Sequence, residues 1–356
     1  MRLARQNHCR GVVHTALSRT LNHPLPRSFF ESSKRIAGHR SSASAVPFKL
    51  CSQVARRRGV RLVAWCLLLL TLTGCSATQF IYNRVDILVR WYLDDYVSLD
   101  RDQRAQFDER LDAFLEWHRR EELPEYVVLL DDALTILDDG VPLGATRDMA
   151  DRIELAAIRF QDPFLELLLS TGEDLRPEQR AEFIANMMAK QEEFEADRLA
   201  RSDDEYREDL EKRFDKQLSR YMGRLTTAQT ERIGAGVSDM TRLDRFWLED
   251  RRVWIEALST ILLQAESNWP DQVRELIAGR EEALLPAYRE GIDHNGEVIL
   301  HLSRDVLISR TEKQDRKLRG KLLALRDDLA ALASQGTSTP NENAERAISP
   351  ASGASG

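Results

Sequence analysis

The chain has 356 residues, 42% hydrophobic and 31% charged, which supplies a real core and is compatible with one large domain or two modest ones. Of its 51 Lys and Arg residues, 13 precede residue 75 against one acid, Glu31, so the remainder carries a net charge of about −19. So acidic a surface repels phosphate backbones and anionic headgroups, which disfavours nucleic-acid binding and purely electrostatic attachment to lipid. The cysteines, Cys9, Cys51, Cys66 and Cys75, all lie at or before residue 75, which excludes disulfides within the later part.

Residues 1–55 are basic and rich in Ser, His and Arg, a doubtful extension for which an ordinary signal peptide has no place; a start at Val54 would give a signal sequence of normal length. An organellar transit peptide suits that composition but not the segment behind it. Arg56-Arg57-Arg58-Gly59-Val60-Arg61 leads into an apolar run over 62–72, barely half of the roughly 20 residues a membrane span needs. Charged Arg61 argues against a twin-arginine signal. Leu72-Thr73-Gly74-Cys75 resembles the lipobox of bacterial lipoproteins. The resemblance implies that 56–74 is a signal peptide cut between Gly74 and Cys75, and that Cys75 carries fatty chains on its thiol and freed amine. With roughly 0.8 kcal/mol per buried methylene, several chains hold firmly. Ser76, in place of an aspartate that would retain the product at the inner membrane, points to the outer membrane. The bland reading, a buried helix ending in a structural cysteine, leaves the basic flank unexplained.

From Phe80 onward apolar residues recur at three and four, and alternating β-branched runs are missing, which predicts an all-α, multi-helix bundle over 75–335. Helices are expected from Phe80 to about Val97, with Ile81, Val85, Leu88, Val89, Tyr92 and Tyr96 on one face, and from Asp100 to about Glu122. Pro124 forces a kink or restart before a third helix, Tyr126 to Asp138. Further helices are expected at 146–160, at 163–170 with Asp162 as cap and Pro163 as first helical residue, at 177–200 and at 203–224. Then come 227–267, interrupted near Gly234 and Gly236, a short piece after Pro270, one at 281–290, and a last helix from about Gly296 to Ala333. The tail, 336–356, is expected to be disordered.

One spacing recurs. Leu99-Asp100-x-x-Gln103, Leu175-Arg176-x-x-Gln179 and Leu225-Thr226-x-x-Gln229 each open an amphipathic run, and Thr311-x-x-Gln314 is a partial fourth copy. Where the first polar residue is Asp or Thr this is a capping box; Arg176 cannot cap that way, but Pro177 suits a first turn. A second echo relates Arg119 to Tyr126 with Arg280 to Tyr288. Old duplication and plain good capping both account for these starts.

Taken with the lipobox, Tyr82-Asn83-Arg84-Val85-Asp86, Trp91-Tyr92 and Trp117-His118-Arg119 to Leu123-Pro124 resemble a family of proteobacterial lipoproteins known only as a domain of unknown function. The resemblance implies an address and a helical fold but no activity. Leu225-Thr226-Thr227-Ala228-Gln229 is similar to the motif of the Spy-type periplasmic chaperones, which implies a rival role in holding unfolded chains.

Chemistry-bearing residues are few. Beyond Cys75 only His118, His294 and His301 remain to bind a metal, and neither a zincin nor a di-iron ligand pattern occurs, so no metal and no cofactor is expected. Glu297, His301 and Asp305 share a helical face, read as a solvated ion pair. Trp117, His118 and Arg119 form the candidate interaction surface, although a core Trp with flanking surface charges fits the same pattern. Trp247, Trp254 and Phe246 beside Arg245, Arg251 and Arg252 are read as core and rim. The expectation is a non-catalytic outer-membrane lipoprotein facing the periplasm, its partners the membrane through its lipid and another envelope protein, with no nucleic acid and no small-molecule substrate identified. An unfamiliar enzyme centred on His118 or His301 is the remaining alternative.

Overall fold

A computed structural model describes residues 77–264 and 266–337. The extension 1–55, the signal segment 56–74, Gly74, Cys75 and residues 338–356 lie outside them. Among the described residues the chain is all-α, without strands: α1 (Ala77–Tyr82), α2 (Val85–Asp94), α3 (Arg101–Trp117), a π-helical turn (His118–Glu122), α4 (Leu123–Asp138), α5 (Leu143–Glu173), α6 (Pro177–Leu199), α7 (Asp203–Met222), α8 (Thr227–Asp239), α9 (Asp244–Gln264), α10 (Trp269–Ala278), α11 (Pro286–Ile308) and α12 (Glu312–Thr337).

Several boundaries differ from the sequence expectation for identifiable reasons. The first expected helix breaks at Asn83-Arg84. Val85, Val89 and Leu93 then pack on the aromatics of α3 and α5, while α1 turns toward α12, where Gln79 Nε2 donates to Asp328 Oδ1 at 2.9 Å. Ile81 and Tyr92, expected inward, are 57% and 45% exposed. Pro163 does not start a helix but sits inside the 31-residue α5. Its missing N–H and ring clash, worth about 3 kcal/mol, are tolerated because Phe160 and Phe164, whose rings stack at 5.6 Å, anchor α5 on α3 from both sides of it.

Gly234 and Gly236 lie within α8; the interruption comes at 240–243 instead. There Asn295, 2% exposed, clamps Thr241 by accepting its N–H and donating to its carbonyl, each at 2.8 Å. Gly236 serves close approach: a Cβ there would stand 3.1 Å from Leu302 of α11. The helix expected at 281–290 is turn up to Leu285 and helix from Pro286, because proline opens a helix and cannot continue one. The expected last helix divides at Ser309–Thr311, where Arg310 satisfies the freed carbonyls of Leu307 (2.8 Å) and Leu137 (2.9 Å). Gly336 and Thr337 are helical, the end of α12 rather than tail.

The helices enclose four neighbouring apolar clusters. Phe107, Leu111, Phe114 and Leu167 join α2, α3 and α5. Leu169, Ile184, Ile255 and Trp269 join α5, α6, α9 and α10. Trp247, Leu248, Tyr288 and Ile292 join α9 and α11. Tyr206, Phe214, Ile233, Leu302 and Leu318 join α7, α8, α11 and α12. Along one edge of the otherwise charged α7, Tyr206, Leu210 and Phe214 are buried, whereas Tyr221 is 37% exposed.

The repeated helix starts meet in pairs. Gln103 at the start of α3 and Gln179 at the start of α6 exchange amide hydrogen bonds of 2.9 and 2.8 Å. Gln229 at the start of α8 and Gln314 at the start of α12 do the same at 3.1 and 2.8 Å. In every case Oε1 also accepts the N–H three residues earlier, from Asp100, Arg176, Thr226 or Thr311, at 2.9–3.0 Å. In every case Nε2 also donates to a carbonyl of the partner turn, five residues before the partner glutamine: Asp174, Ser98, Ser309 or Arg224. Each clasp therefore has local two-fold character, and each buried amide is satisfied on both sides. Arg176, unable to cap its own helix, reaches across its clasp to Asp100 Oδ2 at 2.6 Å.

Candidate functional site

The π turn is a consequence of Pro124. In a regular α-helix the proline ring would press on the carbonyl of Arg120; widening the preceding turn, with Leu123 N–H bonded to His118 O, absorbs the clash without ending the helix. The widened turn carries His118 inward to 8% exposure, with Trp117 and Arg119 half-buried on either side. Of the three residues singled out as a surface, His118 is thus a core residue. Its ring stacks on Tyr82 (5.8 Å) and meets Tyr126 (5.6 Å) and Phe160 (5.5 Å) edge to face.

Burial pushes His118 down from its ordinary 6.5, against the pull of Glu122, while burial pushes Tyr82 up to about 12 despite Arg119. Tyr82 therefore keeps its proton, and its hydroxyl shares a hydrogen bond of 2.7 Å with His118 Nδ1. Glu122, 4% exposed, is held by Arg159 of α5 through two bonds of 3.0 and 3.1 Å. The cluster ties α1, the first helix behind Cys75, to α3, α4 and α5. Beside it a polar cleft of about 500 Å³ opens between Tyr82, Asn83, Asp86, Asp112, Glu116 and Arg119. Arg119 lies over the Tyr82 ring at 5.4 Å.

His301 stands 3.8 Å from Glu297, but Glu297 is engaged by both guanidinium nitrogens of Arg147, and Asp305 pairs with Arg232 at 2.8 Å. His294 Nε2 donates to the Asp239 carbonyl at 2.8 Å. Among the described residues no group of His, Cys, Asp and Glu is placed to hold a metal ion.

Sequence reasoning missed the most buried charge cluster. Asp244, 3% exposed, accepts from Arg201 at 3.0 Å, Arg242 at 3.3 Å and Arg198 at 3.4 Å. Arg198 lies over the Trp247 ring at 4.5 Å, and burial pushes its guanidinium down from the ordinary arginine value against the pull of Asp244. The signal was available in Arg242-Leu243-Asp244, an Asp at a helix start, but Arg198 and Arg201 come from elements 40 and more residues away. The core reading of Trp247 was sound: it is 7% exposed.

The model of the family of unknown function DUF6279 matches residues 95–289, more than half of the chain. The chain belongs to that family. The resemblance carried by the Trp117 to Pro124 stretch was therefore legible in the sequence, as a domain of unknown function. The DUF6279 span takes in the π turn, the Asp244 cluster and three of the four clasp glutamines; α1, α12 and Cys75 lie outside it. No protein of curated function and no solved structure matches the chain. No helix among the described residues is long and apolar enough to cross a membrane.

Proposed function

We propose that this DUF6279 protein is a non-catalytic binding and structural component of the cell envelope, tethered to the outer membrane through acyl chains on Cys75 and facing the periplasm. The observation that carries the reading is the apolar surface just behind the lipobox. Within about fifteen residues of Cys75, α1 and α2 expose Phe80 (58%), Ile81 (57%), Ile87 (50%) and Trp91 (38%). Arg84 is seated over the Phe80 ring at 4.8 Å. Apolar side chains beside an arginine, next to an acyl anchor, suit the boundary between headgroups and hydrocarbon. The acidic remainder is repelled from the same surface, so α1 and α2 meet lipid while the bundle stands off to meet its partner.

Binding rather than catalysis is supported by how the buried polar groups are used. The clasp glutamines, Glu122, Asp244 and His118 are each engaged by named partners within the fold. The test is fractionation of cells carrying Cys75→Ser. The variant should move from sedimented membranes to the soluble periplasmic extract, and should bind phosphatidylglycerol vesicles only weakly, with Phe80→Ser/Ile81→Ser abolishing the binding that remains. Unchanged sedimentation of Cys75→Ser contradicts the reading.

A further inference from the structure

A pocket of about 210 Å³ lies where α2, α5, α6, α9 and α10 meet. It exceeds the roughly 150 Å³ of an engineered apolar cavity that accepts benzene. Buried Leu169, Met187 and Leu258 line it together with Leu168, which is 41% exposed, so the pocket has both depth and a mouth. Cores pack to the density of organic crystals, with few voids larger than a water molecule, so an open space of this size calls for a wall that resists closing. Trp269 supplies it. Its ring sits so close to Gly172 that a Cβ there would stand 2.9 Å away, and the Arg180 guanidinium lies over the same ring, 5.6 Å from its centre. Held by both, the indole is kept from swinging in to fill the space.

The surface that the wall presents is almost wholly apolar. Its polar residues are engaged or covered: Thr171 Oγ1 donates to the Leu167 carbonyl at 2.7 Å, and Arg180 Nε and Trp254 Nε1 are buried beneath the accessible surface. A charged or strongly polar group inside would lose its water and gain no partner. We propose that this pocket takes the end of one uncharged alkyl chain. At roughly 30 Å³ per water-sized unit the space holds about seven carbon atoms, so the head group of a longer molecule stays at the mouth, in water. The chain belongs to a membrane lipid. Leu93, in the last turn of α2, lines the pocket, and the same helix exposes Ile87 and Trp91 on the surface proposed above to meet lipid. That source rests on the proposed tethering; the alkyl site itself does not.

The test uses the full chain with Cys75→Ser, which needs no detergent, titrated with the 1-alkanols from butanol to decanol by calorimetry and tryptophan fluorescence. Binding should be saturable, one per chain, and should tighten about fourfold with each added methylene until about seven carbons are inside, where the gain stops. Leu168→Asp, at the exposed rim, should weaken 1-heptanol at least tenfold, and Leu258→Trp, which fills the space, should abolish its binding. Dioctanoyl phosphatidylglycerol below its micelle concentration should displace the alcohol. No saturable binding, or affinity still climbing by the same factor through decanol, overturns the site; an intact alkanol series without displacement overturns the lipid as its source. The series is run on the unsubstituted pocket, so it decides even where a variant does not fold, and cell fractionation reads the tether separately.

Discussion

Replacing Gln229 with leucine keeps most of the side chain's volume and deletes its amide. The structure shows what is stranded: the Thr226 N–H, the Ser309 carbonyl and half of the Gln314 amide, all at a site where Gln229 is 1% and Gln314 4% exposed. An unpaired buried polar group costs about 1–3 kcal/mol. Two backbone groups and half an amide therefore place the loss at about 3 kcal/mol, which is a fall of about 6–12 °C in melting temperature for a domain of this size. Adding Gln314→Leu removes the stranded amide itself. The double variant should then lose about 1–2 kcal/mol less than the two single losses combined. Gln103→Leu, in the other clasp, shares no partner with Gln229 and should add to it within about 0.5 kcal/mol. Urea unfolding followed by circular dichroism measures all of these, and hydrogen exchange at the Thr226 amide reports the same event locally. Single losses under about 0.5 kcal/mol, or strict additivity within one clasp, would show that the paired amides do not hold the helix starts together.

His118 gives a pH dependence. Its folded pKa lies below its ordinary 6.5, so the unfolded chain takes up the proton first; stability should fall as pH drops below about 6.5 toward the folded value, and His118→Gln should lose that part of the slope. Urea midpoints between pH 8 and 5 test this, and a wild-type slope retained in the variant would contradict it. At Gly291 a Cβ would stand 2.5 Å from Leu243 Cδ2, and Leu243 is 1% exposed, so Gly291→Ala should cost about 1–3 kcal/mol by overpacking; a neutral melting curve would contradict that contact. The chaperone-like rival predicts that the protein slows aggregation of a denatured client. Gln229, the last residue of its motif, is consumed within a clasp, so light scattering should show no slowing.

Much of the architecture was written locally. Periodicity defined α6 and α7, whose ends fall at Pro177 and near Gly223, and the capping spacing located the starts of α3, α6 and α8; it also marks the start of α12, which was nonetheless expected inside one long helix. That these four starts meet in two pairs was not legible, because 76 and 85 residues separate the members and the bonds are between side chains. Proline misled at both sites. Pro124 was absorbed by a local widening into a π turn and Pro163 by tertiary aromatic packing, so neither ended its helix. Trp117-His118-Arg119 stood out as an unusual cluster, but which of the three points inward depended on the extra residue in the π turn. The Asp244 cluster draws its residues from elements far apart in sequence, and no spacing announces it.

The proposed role depends first on a mature protein that begins at Cys75 and carries fatty chains there. Mass spectrometry of the N-terminal peptide from membranes, after growth with labelled palmitate, reads both features at once. The expected product is a peptide starting at Cys75 whose mass includes a diacylglycerol and an amide-linked acyl chain. A peptide starting elsewhere, or an unlabelled Cys75, would contradict the tethered envelope role.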